Sequence, residues 1–102
     1  MNGQSFVFHG YLPKESKQRK ERIQLLEREA LKKNQTQIFI ETPYRNTQLI
    51  KDLLQVCSGE ILLCIAANLT SHTEKIQTKK ISEWKKNPPE INKVPVIFLV
   101  GK

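Results

Sequence analysis

The sequence predicts a small α/β fold, and three observations carry that prediction. Short apolar runs of strand length recur at "FVFHGYL", "QIFIE", "EILLCIAA" and "VPVIFLVG". Two longer segments between the first three runs repeat their apolar residues at helical spacing. The chain has 102 residues, enough for one compact unit with one core. Alternating elements of this kind pack as helices against a mixed sheet, here a two-layer sandwich of about five strands.

Residues 4–12 alternate partly in the strand manner, with Phe6, Phe8 and Leu12 as apolar positions. Gly10 predicts a bend or a close backbone approach within this strand, and Pro13 ends it. Residues 14–33 form the first helix, with Ile23, Leu26, Ala30 and Lys33 along one stripe, widened by Leu25 and Leu31. Asn34 suits the helix end. Residues 36–41 form the second strand. A second helix runs to about Cys57, with Leu49, Ile50, Leu53, Leu54, Val56 and Cys57 as a broad apolar face, and Ser58-Gly59 stops it. Residues 60–67 are nearly all apolar, as in a strand buried on both faces. "NLTSH" reads as a loop, "TEKIQTK" as an outer strand, and "ISEWKKN" as a short helix closed by Pro88-Pro89. The last strand follows, with Pro95 near its start, where a missing donor is tolerated.

The net charge of +7 points to an anionic partner, with RNA, phosphates and acidic surfaces all compatible. The two cysteines, Cys57 and Cys64, lie in apolar contexts without a C-x-x-C pair, and His9 and His72 are far apart. No metal site is expected, and both thiols read as buried and reduced. No apolar run has bilayer length and no signal peptide is visible, so the expectation is a cytoplasmic protein without membrane contact.

Two junctions carry the candidate chemistry. In "FIETPYR" a strand gives way within three residues to Glu41, Thr42, Pro43, Tyr44 and Arg45. Thr42 before Pro43 fits a helix N-cap, its hydroxyl accepting a free backbone N–H. Glu41 sits well near a positive helix end, and Arg45 can pair with it or with an anionic ligand. Strand-to-helix junctions are also where α/β sheets hold ligands. The second junction, "IAANLTSHTE", follows the buried third strand. Ala66 and Ala67 allow close approach there, while Asn68, Thr70, His72 and Glu74 offer hydrogen bonds. The basic residues Lys14, Lys17, Arg19, Lys20 and Arg22 at the start of the first helix oppose the helix dipole. They read either as a solvated face, partly offset by Glu15 and Glu21, or as phosphate contacts. No nucleophile–base pair and no Gly-rich phosphate loop is legible.

"FVFHGYLP", "FIETPYR", the A-x-x-L-T-x-x-x-E pattern of Ala66, Leu69, Thr70 and Glu74, and the closing "FLVGK" occur in order. Together they resemble the C-terminal domain of the tetrapyrrole methylase superfamily, over about residues 6–102. The branch they look most like is that of ribosomal RNA small subunit methyltransferase I. Tyr11, Tyr44 and Ala67-Asn68 depart from that branch, which has Phe, His and Arg-Glu at these places and thereby marks the chain as divergent. The resemblance implies S-adenosylmethionine as methyl donor, held between two domains of the full-length protein. Residues 1–5 then read as a linker remnant and 6–102 as the C-terminal domain, with the donor-binding N-terminal domain absent. Implied donor-facing positions are Glu41, Thr42, Ala66, Ala67 and Pro95, with Glu41 the candidate base. Implied partners are the protein's own N-terminal domain, a second copy in a homodimer, and RNA contacted by the basic helix and Arg45. Ribose 2′-hydroxyl methylation of ribosomal RNA is the leading expectation. A basic RNA-binding module without catalysis, and a methylase of a tetrapyrrole or other small molecule, are the competing ones. The fragment alone is expected to be inactive.

Overall fold

A computed structural model describes every residue except Asn2 and Asn92. Among the described residues, five strands and three helices follow in the order β1 (Phe6–Tyr11), α1 (Ser16–Lys33), β2 (Thr36–Glu41), α2 (Asn46–Val56), β3 (Leu62–Ala67), β4 (Lys75–Lys80), α3 (Ile81–Lys86) and β5 (Val96–Gly101), with a 3₁₀ turn at Pro43–Arg45. The sheet order is β1-β2-β5-β3-β4. Only β1 and β2 are parallel, and the other neighbours are antiparallel. The predicted mixed five-stranded α/β sandwich is therefore observed, and β5, last in sequence, occupies its middle.

The core lies between the sheet and the helices. Phe39 on β2 and Phe98 on β5 are direct cross-strand partners whose rings stack with centroids 5.6 Å apart. Both are fully buried, as are Leu49 and Leu53 of α2, Leu63 of β3 and Ile81 of α3. Trp84 fills the space under α3, and its indole N–H donates to the Leu63 carbonyl at 2.9 Å, so the one polar atom of that ring is satisfied. The opposite sheet face carries Ile38, Ile40, Ile97 and Leu99, half-buried, and Phe8 in register with Ile38. Phe6 and Phe8 are about 60% exposed, so the apolar positions of β1 belong to this open face rather than to the core.

Gly10 has φ +69° and sits where the β1–β2 register shifts between Phe8 and Tyr11, so the bend expected there is a bulge only glycine accommodates without strain. Asn34 closes α1 in the left-handed conformation, φ 49°, its N–H bonded to the Ala30 carbonyl. The expected apolar stripe of α1 needs correction. Its buried residues are Arg19, Ile23, Leu26 and Ala30, whereas Leu25 and Leu31 are exposed and Lys33 pairs with Glu29 on the surface. Arg19 continues the buried row one turn toward the N-terminus, at the position the apolar pattern leaves open. Its guanidinium donates to Asp52 of α2 at 2.6 Å and to the Lys14 carbonyl at 2.9 Å. No helix among the described residues is long and apolar enough to cross a membrane.

Candidate functional site

At the carboxyl ends of β2 and β3, where the chain enters β5, lies a cavity of about 580 Å³. Glu41, Thr42 and Pro43 form one wall, Ala66, Asn68 and Leu69 a second, and Pro95, Val96 and Ile97 a third, with Tyr11 of β1 at the rim. Register explains the convergence. Glu41 faces Val96 across the β2–β5 ladder, and Ala67 faces Val96 across the β3–β5 ladder, so three strand ends meet at one level of the sheet. The Asn68 N–H donates to the Pro95 carbonyl at 3.0 Å and ties the loop after β3 to the entry of β5.

Glu41 is the only carboxylate among the described lining residues, and its side chain is fully buried. Its Oε1 accepts the Thr42 N–H at 2.8 Å and a longer bond from Arg45 Nη1 at 3.4 Å. Its Oε2 has no protein partner, and neither does the buried hydroxyl of Thr42 beside it. Pro43 begins the turn as expected, with Thr42 in extended backbone before it. The expected side-chain cap is absent, however. The Arg45 N–H, which such a cap would accept, goes to the Thr42 carbonyl at 2.9 Å, and Thr42 Oγ1 is left without a bond. Two orphaned polar oxygens buried in the wall of this cavity are costly.

The loop at residues 68–74 is held by its own hydrogen bonds. Thr70 donates its N–H to Glu74 at 2.8 Å, and Ser71 donates to the Asn68 carbonyl at 3.1 Å. Asn68 and Thr70 have φ of 52° and 65°. For a β-branched threonine this backbone is strained, which marks the loop as set by its surroundings rather than by local preference.

Four of the five expected donor-facing residues, Glu41, Thr42, Ala66 and Pro95, line this one cavity. Ala67 does not. Alternation along β3 turns its side chain to the helix side, where it joins the core and a smaller neighbouring cavity. Sequence reasoning missed Tyr11, Ile40 and Ile97, whose only signal was strand alternation, and Ser71, whose position depends on the loop path. His72 is exposed and outside the lining. Tyr44 also lies outside it, 81% exposed.

The expected RNA-facing residues divide. Lys14, Lys17 and Arg22 are exposed and Lys20 is half-buried. Arg45 is partly exposed beside Glu41. Arg19 is withdrawn from solvent, with 2% exposure, and is engaged by Asp52, so it presents nothing to a phosphate.

No protein-family model matches the chain. It is similar to curated proteins named ribosomal RNA small subunit methyltransferase I, at 38% identity to that of Vibrio cholerae over 78% of this chain and 26% of that protein. It is 29% identical to that of Haemophilus influenzae over 93% and 33%, and 31% identical to that of Pseudomonas aeruginosa over 76% and 26%. The chain thus spans about a quarter to a third of the length of these relatives. Two solved structures share its fold. The methyltransferase CobJ has a TM-score of 0.57 at 18% identity, over 98% of this chain and 42% of CobJ. The uroporphyrin-III C-methyl transferase of Thermus thermophilus, complexed with S-adenyl homocysteine, has a TM-score of 0.58 at 13% identity, over 100% of this chain and 44% of that one. The resemblance carried by the four motifs is borne out by these relatives and fold neighbours.

Proposed function

We propose that this chain is the C-terminal part of an S-adenosylmethionine-dependent methyltransferase and forms one wall of its donor cleft. The observation that carries the reading is the convergence of Glu41, Thr42, Ala66 and Pro95 from three strand ends on one largely apolar cavity. A ligand with N–H or O–H donors and an apolar body suits such a lining. The neighbour crystallised with S-adenyl homocysteine supports the choice of ligand class, and the names of the curated relatives support methyl transfer to ribosomal RNA.

When bound, the donor supplies a methyl group already activated on a sulfonium, so the protein's share is binding, orientation and exclusion of water. Glu41 and Thr42 would border the ligand, and Ala66 would leave room for it beside the sheet. Ile40, Ile97 and Pro95 give the apolar surface that keeps water from the reacting centre. A ribose 2′-hydroxyl is a poor nucleophile until it loses its proton. Glu41, the lining carboxylate, is our candidate base from this half. Lys14, Lys17, Lys20 and Arg22 are proposed to hold phosphates of the RNA. The rest of the cleft, and any dimer, belongs to parts of the protein beyond this half-site.

The test is titration of the ¹⁵N-labelled chain with S-adenosylhomocysteine, followed by amide chemical shifts. A half-site should bind with a dissociation constant on the order of 1 mM. Shifts should be confined to Glu41, Thr42, Ala66, Asn68 and Val96, and should weaken in Thr42→Val and in Glu41→Gln. Shifts scattered over the surface, or none at saturating ligand, would overturn the donor-cleft reading.

A further inference from the structure

A second basic surface begins at the edge of the candidate donor cavity and runs away from α1. Asn68, which lines that cavity, also lines a neighbouring one of about 140 Å³ together with Lys75, Gln77, Trp84 and Glu90. Lys75, Gln77, Trp84 and Glu90 in turn line a third depression of about 340 Å³, extended by Lys79 and Pro88-Pro89. The second and third share Lys75, Gln77, Trp84, Pro89 and Glu90 and form one trench along β4 on the helix side of the sheet, and Asn68 at the end of β3 is where it borders the donor cavity on the other side.

Strand alternation organises its floor. Lys75, Gln77 and Lys79 share one face of β4, and Lys75 stands opposite Ala67, one residue before Asn68. Lys79 is held in place, its Nζ lying 4.6 Å from the centre of the Trp84 ring. Neither Lys75 nor Lys79 forms an ion pair with a described carboxylate. The nearby acids are otherwise engaged: Glu60 pairs with Lys80 at 3.1 Å, Glu74 accepts the Thr70 N–H, and Glu83 Oε1 accepts the Lys80 N–H at 3.1 Å. Glu90 is the only acid among the described residues of the trench wall. Lys85 and Lys86 extend the positive charge along α3. The start of α1 differs, because Glu15 and Glu21 are interleaved with its cations.

We infer that this trench is the path of the acceptor RNA's phosphodiester backbone toward the donor cavity, with Lys75 and Lys79 its principal phosphate contacts. The inference rests on the reading of the acceptor as RNA. An edge strand gives a rigid, regularly spaced pair of cations, and unpaired cations release counterions on contact with a polyanion. The β4 backbone edge adds free N–H donors that can also meet phosphate oxygens. A single strand following the trench would deliver a nucleotide at Asn68, beside the cavity that holds the donor.

The test is fluorescence anisotropy of this chain with a labelled single-stranded RNA of about 12 nucleotides, across a series of salt concentrations. Replacing both Lys75 and Lys79 with alanine should weaken binding about tenfold near 0.1 M salt and lower the salt slope by roughly 1.4, two contacts at about 0.7 each. Replacing both with arginine should preserve slope and affinity. Lys17→Ala with Lys20→Ala should have the smaller effect. Unchanged binding in the Lys75/Lys79 alanine variant, with loss in the Lys17/Lys20 variant, overturns the trench and leaves the RNA reading standing. No salt-dependent binding by the unaltered chain overturns the RNA reading itself. Far-ultraviolet circular dichroism of each variant separates either outcome from unfolding.

Discussion

At Thr42 the sequence supports one account and the structure another, and the difference has a measurable sign. Thr-Pro before a helical turn reads as a cap, and Pro43 does open the turn. The cap is not made, though: the Arg45 N–H it would accept goes to the Thr42 carbonyl at 2.9 Å, while Glu41 accepts Thr42's own N–H at 2.8 Å. Thr42 Oγ1 is left buried without a partner. Were it a cap, Thr42→Val would cost about 1 kcal/mol. Because it is orphaned, the same change should be neutral or should stabilise the ligand-free chain by up to about 1 kcal/mol, since the buried hydroxyl is removed at nearly constant shape. Urea denaturation of the two proteins decides between these signs. Composition and position revealed that Glu41 and Thr42 stand at a strand end. They could not reveal which oxygen would be left over, because that depends on side-chain torsions and not on residue type.

At the scale of elements, periodicity carried most of the fold. Alternation and helical spacing are local properties, so the strand ends at Glu41 and Ala67, the stop at Ser58-Gly59 and the glycine bulge in β1 were all legible. What stayed hidden depends on partners distant in sequence. The buried end of α1 is an arginine whose acid lies 33 positions away on α2; helical spacing aligns Arg19 with Ile23 and Leu26, but nothing within α1 names the partner that lets it be buried. The pair joins the two helices, with the Ser16 hydroxyl also donating weakly to Asp52 at 3.4 Å. Asp52→Ala should destabilise the chain by about 3–5 kcal/mol, because a guanidinium would remain buried without its counter-charge. Replacing both partners by apolar residues of similar volume should cost far less. Thermal or denaturant unfolding of the single and double variants checks this, and equal losses in both would show that the pair acts through packing alone. The central place of β5 was likewise out of reach, since strand order is a property of the assembled sheet.

For the molecule as a whole, stability is small compared with the terms that make it up, so one ionisable group in the core can shape its dependence on pH. Cys57 closes α2 and is buried against the core. Burial, first, and then the adjacent Glu27 charge push its thiol up from 9.0 to about 12. Its apolar setting was legible in the sequence. The proximity of Glu27 was not, since that residue arrives from α1 thirty positions earlier. The native state therefore holds this proton more tightly than the unfolded chain. The resulting stability is fully present below about pH 9. It is lost as pH rises from there toward 12, at about 1.4 kcal/mol per unit. Lysines and tyrosines titrate in the same range, so the test is differential. Urea midpoints of the unaltered chain and of Cys57→Ala should be measured from pH 7 to 10.5, where the titrating groups other than Cys57 are common to both. The alanine variant should begin less stable at neutral pH, having lost packed volume, and its stability should fall less steeply above pH 9. The two curves should converge as the thiol's contribution to the unaltered chain disappears. Parallel curves over the whole range would mean that the thiolate is accommodated in the native state, and that the contact between α1 and the end of α2 opens to water more readily than its burial indicates.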